Sequence, residues 1–183
     1  MNRLIFPLAV ALTAAVVAPA AAENSPASRL SLRGLTGVGL RVEPIAADAL
    51  KAGLSTAAVR SAVESQLRKA GLPMLTPEQQ RNTLRRPCLL VHVATSKLNT
   101  GEYLYSIHVE MTQWVASLAN PEVKVTAAIP VPAKTWSSAN VFGIAPGDQI
   151  NGHIHEAVRT MVEEFLNAHQ RANPSETAFR TGE

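Results

Sequence analysis

In residues 103–115, six of the seven odd positions carry Tyr, Ile, Val or Met, and these alternate with mostly polar residues. This period of two is typical of a β-strand with one buried face. Residues 38–42 show the same alternation, and short apolar stretches predict strands at residues 72–75 and 89–94. A fifth alternating stretch covers residues 123–129.

Two prolines, Pro130 and Pro132, follow the fifth predicted strand. Proline cannot donate a hydrogen bond to a β-ladder, so the strand should end there or lie at a sheet edge. Residues 134–137 can resume the strand, and we interpret residues 138–147 as a loop.

Apolar residues at steps of three and four predict two amphipathic helices. The first covers residues 56–70 and should end at Gly71, which suits the left-handed turn that closes a helix. The second covers residues 148–169, with Asp148 as its cap. A shorter helix should begin at Thr76, because Thr, Pro and then Gln three residues after the Thr form a helix-start signal.

The late strands follow one another along the chain, and a turn near Thr100 should join two of them as a hairpin. Each main helix has one apolar face to bury. The sequence therefore predicts an α+β fold: a two-layer sandwich with a mostly antiparallel sheet of about five strands and two main helices packed on one face. The opposite sheet face would be polar, and either solvated or covered by a partner.

Residues 1–22 have the three parts of a secretory signal peptide. Arg3 supplies a positive charge, an uncharged apolar run follows, and small residues precede Glu23. The run is shorter than the roughly 20 residues that span a bilayer, so we expect cleavage and no stable membrane insertion afterwards. Such a signal peptide predicts a periplasmic or secreted protein.

The rest of the chain has the length of one domain. We predict a flexible lead-in at residues 23–34, a single α+β domain at residues 35–171, and a disordered tail at residues 172–183, which are polar and contain a proline.

Charge and cysteine content narrow the classes of function. The formal net charge is only +3, and the basic residues are scattered instead of forming a stripe with aromatic neighbours. We therefore predict no nucleic-acid partner. Cys88 is the one cysteine in the sequence, so no internal disulfide can form. Its apolar neighbours favour a small buried side chain over a reactive thiol.

A metal site is the best chemical candidate. If the hairpin turns near Thr100, His92 lies opposite His108 on the polar face, and Glu110 lies diagonally near His92. Two imidazoles and a carboxylate can bind zinc or copper. The alternative is a pair of ordinary solvated histidines, and a one-residue slip of register would scatter the group. No other cofactor is expected.

Other motifs do not support a reaction. His153 and His155 are two positions apart on a predicted helix, so they point in different directions and cannot chelate together. The glycines of residues 34–39 enter a strand, whereas a phosphate loop leads from a strand into a helix. The sequence leaves enzymatic activity open but favours a protein that is not an enzyme.

Trp114 and Trp136 are candidates for partner contact, because we place both on the polar face of their strands. Aromatic residues are enriched at protein interfaces. The alternative is that they pack against the predicted loop at residues 138–147.

Three stretches of the sequence resemble exported bacterial proteins of unknown function: LSLRGLTGVGLRVE (30–43), VESQLRKAGL (63–72) and YSIHVE (105–110). The predicted layout is also similar to small periplasmic α+β domains such as the N-terminal domain of TolB. The first resemblance brings no activity or catalytic residue. The second implies a binding or assembly role by analogy of fold.

Three hypotheses of function follow. The leading one is a non-catalytic periplasmic module that binds an envelope protein through the polar sheet face or an open strand edge. The first alternative is a metal-binding protein or metalloenzyme that uses His92, His108 and Glu110. The second alternative is a small-molecule carrier with a pocket between the sheet and the helices.

Overall fold

The computed structural model describes residues 24–116 and 130–174. Within these ranges the chain forms a five-stranded sheet and five helices. The strands are β1 (Gly39–Val42), β2 (Cys88–Lys97), β3 (Tyr103–Ala116), β4 (Pro130–Ser137) and β5 (Val141–Ala145). The helices are α1 (Pro26–Leu30), α2 (Ala47–Lys51), α3 (Thr56–Lys69), α4 (Pro77–Asn82) and α5 (Ile150–Ala172).

The sheet is mostly antiparallel, as predicted. Its order is β1-β2-β3-β4, and β5 pairs with the first half of β3 while β4 pairs with the second half. Only β1 and β2 run parallel to each other. In the hairpin of β2 and β3, His92 lies opposite His108 and Leu90 lies opposite Glu110, so the predicted register is confirmed.

The hydrophobic core lies between the sheet and helices α3 and α5. Ile107, Val109 and Met111 of β3 are fully buried there, and α5 contributes Phe165. The even positions of β3 point to the opposite side, where no described helix covers them. The α+β fold is therefore confirmed. We call the side opposite the helices the open face, and define it by Leu90, His92, His108, Glu110, Thr112 and Trp114.

Local sequence signals fix most helix ends. The Ser55 hydroxyl accepts a hydrogen bond from the backbone N–H of Ala58 at the start of α3. Thr76 and Gln79 form the predicted capping box of α4. The prediction that Asp148 caps α5 is wrong: Gln149 holds the cap position, and no side chain makes a capping hydrogen bond there.

The predicted loop at residues 138–147 is partly wrong, because residues 141–145 form strand β5. In β5 the large residues Phe142 and Ile144 are exposed, whereas the small residues Gly143 and Ala145 lie on the inward side. Gly143 must be small, because a Cβ there would overlap the ring of Tyr105. This inverted pattern hides the strand from an analysis that assigns apolar residues to the core.

The predicted strand at residues 72–75 shrinks to a single bridge between Val38 and Met74. Pro130 and Pro132 lie within β4, and β4 is an edge strand, where proline is tolerated. The fifth predicted strand, residues 123–129, lies outside the described residues.

The lead-in at residues 23–34 was predicted to be flexible, but its described part is folded. Residues 26–30 form α1, and Leu32 is fully buried in the core. Burial of Leu32 in the hydrophobic core joins this segment to the rest of the domain. The predicted signal peptide and most of the predicted tail lie outside the described residues, although α5 extends to Ala172. Among the described helices, none combines the length and apolar character needed to cross a membrane.

Candidate metal centre

His92 and His108 lie side by side on the open face. They are directly opposite each other in neighbouring strands, and their rings stack with centroids 4.0 Å apart and an interplanar angle of 14°. Alternation along β2 and β3 directs both rings away from the core. The hairpin register therefore brings together the two predicted imidazole ligands.

Glu110 completes the predicted group from the next outward position of β3. One carboxylate oxygen lies 3.3 Å from Nε2 of His92, and the other lies 4.0 Å from Nε2 of His108. One potential ligand atom from each of the three residues falls within 4.8 Å of the other two. The carboxylate thus faces both rings and can share an ion with them.

Glu43 is a fourth member that the sequence analysis missed. Its carboxylate lies 2.9 Å from Nδ1 of His92, on the side of the ring away from Glu110. Glu43 follows β1, which pairs in parallel with β2, and that parallel pairing was not predicted from the sequence. The alternation of Arg41 and Glu43 on the polar side of β1 was the available signal.

The two nitrogens of His92 have different surroundings. Because an ionised carboxylate can only accept hydrogen bonds, Glu43 requires the proton on Nδ1. In the neutral ring Nε2 is then left as an acceptor; it is buried and has no hydrogen-bond partner among the described residues. It faces a Glu110 oxygen that is also an acceptor. Two acceptors at this distance repel each other unless a proton or a cation lies between them.

The electrostatics of His108 favour the form of histidine that binds metals. Burial lowers the pKa of His108, and the neighbouring His92 lowers it further, while Glu110 opposes the shift. A lowered pKa keeps the ring neutral near pH 7, and neutral imidazole is the metal ligand.

The distances suit a small transition-metal ion. Zinc lies about 2.0–2.2 Å from nitrogen and oxygen ligands, so the donor atoms of a tetrahedral site are about 3.4 Å apart. The separation of His92 Nε2 and the nearer Glu110 oxygen already matches this value. The contact to His108 uses the other Glu110 oxygen at 4.0 Å, and one donor atom from each residue lies within 4.8 Å of the other two, so the three donors must move closer together to share an ion. Glu43 would hold His92 from outside, as carboxylates commonly do for metal-bound histidines.

Trp136 does not lie on the open face, so the prediction that it contacts a partner is wrong. It is fully buried and packs edge-on against Phe165, with ring centroids 5.4 Å apart. A register shift between Met111 and Thr112 pairs Trp136 with Met111, whose side chain points to the helices. Paired residues share a face, which places Trp136 in the core.

Trp114 does lie on the open face and is 39% exposed. The guanidinium carbon of Arg86 lies 4.7 Å from the centroid of its ring. This tryptophan is therefore available for contact, although nothing so far identifies what contacts it.

Cys88 begins β2 and is partly buried. Burial raises the pKa of the Cys88 thiol, and a hydrogen bond with Gln80 and the charge of Arg41 only partly oppose the shift. A thiol with a raised pKa stays protonated near neutral pH and is a poor nucleophile. This agrees with the predicted structural role.

No protein-family model matches the chain. No curated protein has a sequence that matches it either.

Proposed function

We propose that this chain is an exported metal-binding protein that holds zinc or copper between His92, His108 and Glu110 on the open face. The observation that carries the proposal is the buried Nε2 of His92, which faces a Glu110 oxygen at 3.3 Å with no hydrogen-bond partner among the described residues. A divalent cation removes the repulsion between these two acceptors and uses the neutral ring of His108 as a third ligand.

Three protein ligands leave at least one coordination position for water or another molecule. An ion can reach such a site from the side of His108, whose side chain is 31% exposed. The sequence contains no catalytic motif around these residues, so we propose binding and no reaction.

Calorimetric titration of the metal-free protein with Zn²⁺ and Cu²⁺ tests this function. We expect one ion per chain, and His92→Gln, His108→Gln and Glu110→Gln should each weaken binding by at least about 100-fold, because each removes a ligand. His153→Gln is the matched control, since this exposed histidine lies on α5 outside the site.

Equal affinity in the control and the three ligand variants would reject the metal centre. In that case a proton lies between His92 and Glu110, and the group is an ion pair.

The second candidate is the predicted binding or assembly module, with an envelope protein as its partner. Apolar side chains at one end of the open face favour it: Leu104 and Ile144 are paired across β3 and β5, and both are about half exposed. Phe142 lies beside them and is 67% exposed. Adjacent exposed apolar residues on a sheet often mark a protein contact.

A photo-crosslinking residue at position 142 tests this candidate in intact cells. The module predicts one discrete adduct, whereas the same residue at exposed position 159 on α5 should give none. An adduct of twice the chain mass would indicate a second copy, and equal labelling from both positions would reject the candidate.

We do not propose the predicted carrier with a pocket between the sheet and the helices. Side chains of both layers fill that space, including Leu67, Met111 and Phe165, which are all fully buried.

A further inference from the structure

A cleft of about 620 Å³ lies where β2 begins and β3 ends. Its wall includes Cys88 and Thr112 of the open face, Gln80 of α4, and Pro132 of the edge strand β4. Small-molecule sites typically have volumes of about 300–1,000 Å³. The cleft is separate from the candidate metal centre, because none of the proposed ligands lines it.

Three arginines from different parts of the chain line this cleft: Arg41 of β1, Arg81 of α4, and Arg86 of the turn before β2. No acidic side chain is among the described residues of its wall. None of the three guanidinium groups has a carboxylate partner in the described part of the chain. Basic residues that line one cleft without an acidic side chain in its wall favour an anion there.

The backbone that presents Arg86 is held in an uncommon conformation. Arg85 and Arg86 have positive φ angles of 66° and 44°, which non-glycine residues adopt rarely. The backbone N–H of Trp114 donates to the Arg85 carbonyl at 2.7 Å, and the Arg85 guanidinium donates to the carbonyls of Ser31 and Arg33. Three tertiary hydrogen bonds thus fix the turn and direct Arg86 to the cleft, and such retained strain points to function.

Trp114 gives the cleft an aromatic wall. The guanidinium of Arg86 lies over its ring, which orients the arginine before any ligand arrives. A stacked guanidinium keeps its N–H edge free for two parallel hydrogen bonds to a carboxylate or phosphate. The site therefore combines charged donors with an apolar aromatic surface.

We propose that this cleft binds a small organic oxyanion with two negative charges and an aromatic ring. The oxyanion is held by Arg41, Arg81 and Arg86, and the ring packs against Trp114 and Pro132. Phosphate monoesters and dicarboxylates share this chemistry, and binding measurements with one of each distinguish them.

Calorimetric titration with phenyl phosphate and with phthalate tests the proposal, with inorganic phosphate and benzyl alcohol as partial ligands. We expect at least one aromatic dianion to bind about tenfold more tightly than inorganic phosphate, because of the ring contact, and benzyl alcohol to show no binding. The His92→Gln variant should bind the dianion unchanged, which separates this site from the metal centre.

Arg86→Gln and Arg41→Gln should each weaken dianion binding by about tenfold or more, because each removes a charge-assisted contact. Arg171→Gln, an exposed position on α5 outside the cleft, is the matched control for net charge. Failure of both dianions to bind, or equal weakening by the control, would overturn the proposal. Binding only of an oligonucleotide or poly-glutamate would also overturn it in favour of a polyanion surface.

Cys88 provides a second readout that needs no arginine substitution. It lines the cleft and is the one cysteine in the sequence, so a thiol reagent labels a single site there. A bound dianion should lower the alkylation rate of Cys88 in proportion to the fraction of clefts that it occupies. An unchanged alkylation rate at a dianion concentration that saturates the calorimetric signal would place the ligand elsewhere.

Discussion

The orientation of one imidazole ring decides the chemistry of the open face. Glu43 lies 2.9 Å from Nδ1 of His92, so in the neutral ring the opposite nitrogen is an acceptor that faces Glu110. A carboxylate in this position fixes the tautomer and makes the ring a better ligand. Glu43 is thus a positioning residue that acts through His92.

Glu43→Gln should reduce zinc affinity by about 10- to 100-fold while leaving one ion per chain, because an amide fixes the ring less firmly than a carboxylate. Calorimetry measures both the affinity and the stoichiometry. Glu78→Gln, on the exposed surface of α4, is the control. Loss of stoichiometry in Glu43→Gln would instead make Glu43 a direct ligand, and unchanged affinity would remove its positioning role.

The pKa of Cys88 gives a prediction about reactivity. Because burial raises this pKa, the thiolate forms only at higher pH than in an ordinary cysteine. The rate of alkylation plotted against pH should therefore have its midpoint above that of the same chain unfolded in denaturant. A midpoint at or below the unfolded value would contradict the burial of the thiol.

The positions of side chains could be predicted from the sequence within a single regular hairpin. Period-two alternation and a short turn were enough to bring His92 opposite His108. Trp136 was misplaced because the irregularity at Met111 and Thr112 changes the register by contacts that the strand pattern does not encode. Glu43 was missed because parallel pairing depends on a long connection through several helices, and periodicity does not report it.

At the scale of elements, helix α5 seals the core side of the sheet. Its residue Phe165 is fully buried and meets Trp136 edge to face, so α5 and β4 are joined by an aromatic pair. The same helix packs against α3 and β3. This layer holds β3 in place, and β3 carries both His108 and Glu110.

Phe165→Ala should lower the free energy of unfolding by about 3–5 kcal/mol, because it leaves a cavity between α5 and the sheet. Phe142→Ala, at an exposed position of β5, is the matched control and should change the free energy of unfolding by no more than about 0.5 kcal/mol. Denaturant unfolding measures both values. Similar losses in the two variants would mean that the core does not lie where we place it.

Elements with a conventional pattern were predicted well, including α3, β2, β3 and the capping box of α4. Strand β5 was missed because its large residues face outward and Gly143 faces the core beside Tyr105. Helix α1 was missed because five residues with no buried side chain carry little periodic signal. Its packing depends on Leu32, whose burial needs the rest of the fold.

For the whole molecule, the metal centre should connect parts of the sheet that come from distant segments. The ligands lie on β2 and β3, and Glu43 extends the group to β1. An ion that binds the folded chain and not the unfolded chain adds to its stability. We therefore expect metal binding to be coupled to folding.

Zinc at about 100 times its dissociation constant should stabilise the folded chain by about 2.7 kcal/mol, seen as a higher Tm. His108→Gln should abolish this increase, and His153→Gln should keep it. An equal increase in both variants would show that zinc stabilises the chain from some other site.

Anomalous diffraction at the zinc absorption edge, from crystals of the zinc-loaded protein, tests the proposed metal centre most directly. We predict one peak between His92 Nε2, His108 and Glu110, at about 2.0–2.2 Å from each ligand atom. A peak elsewhere, or an unoccupied His92–Glu110 contact in crystals that contain zinc, would contradict the account.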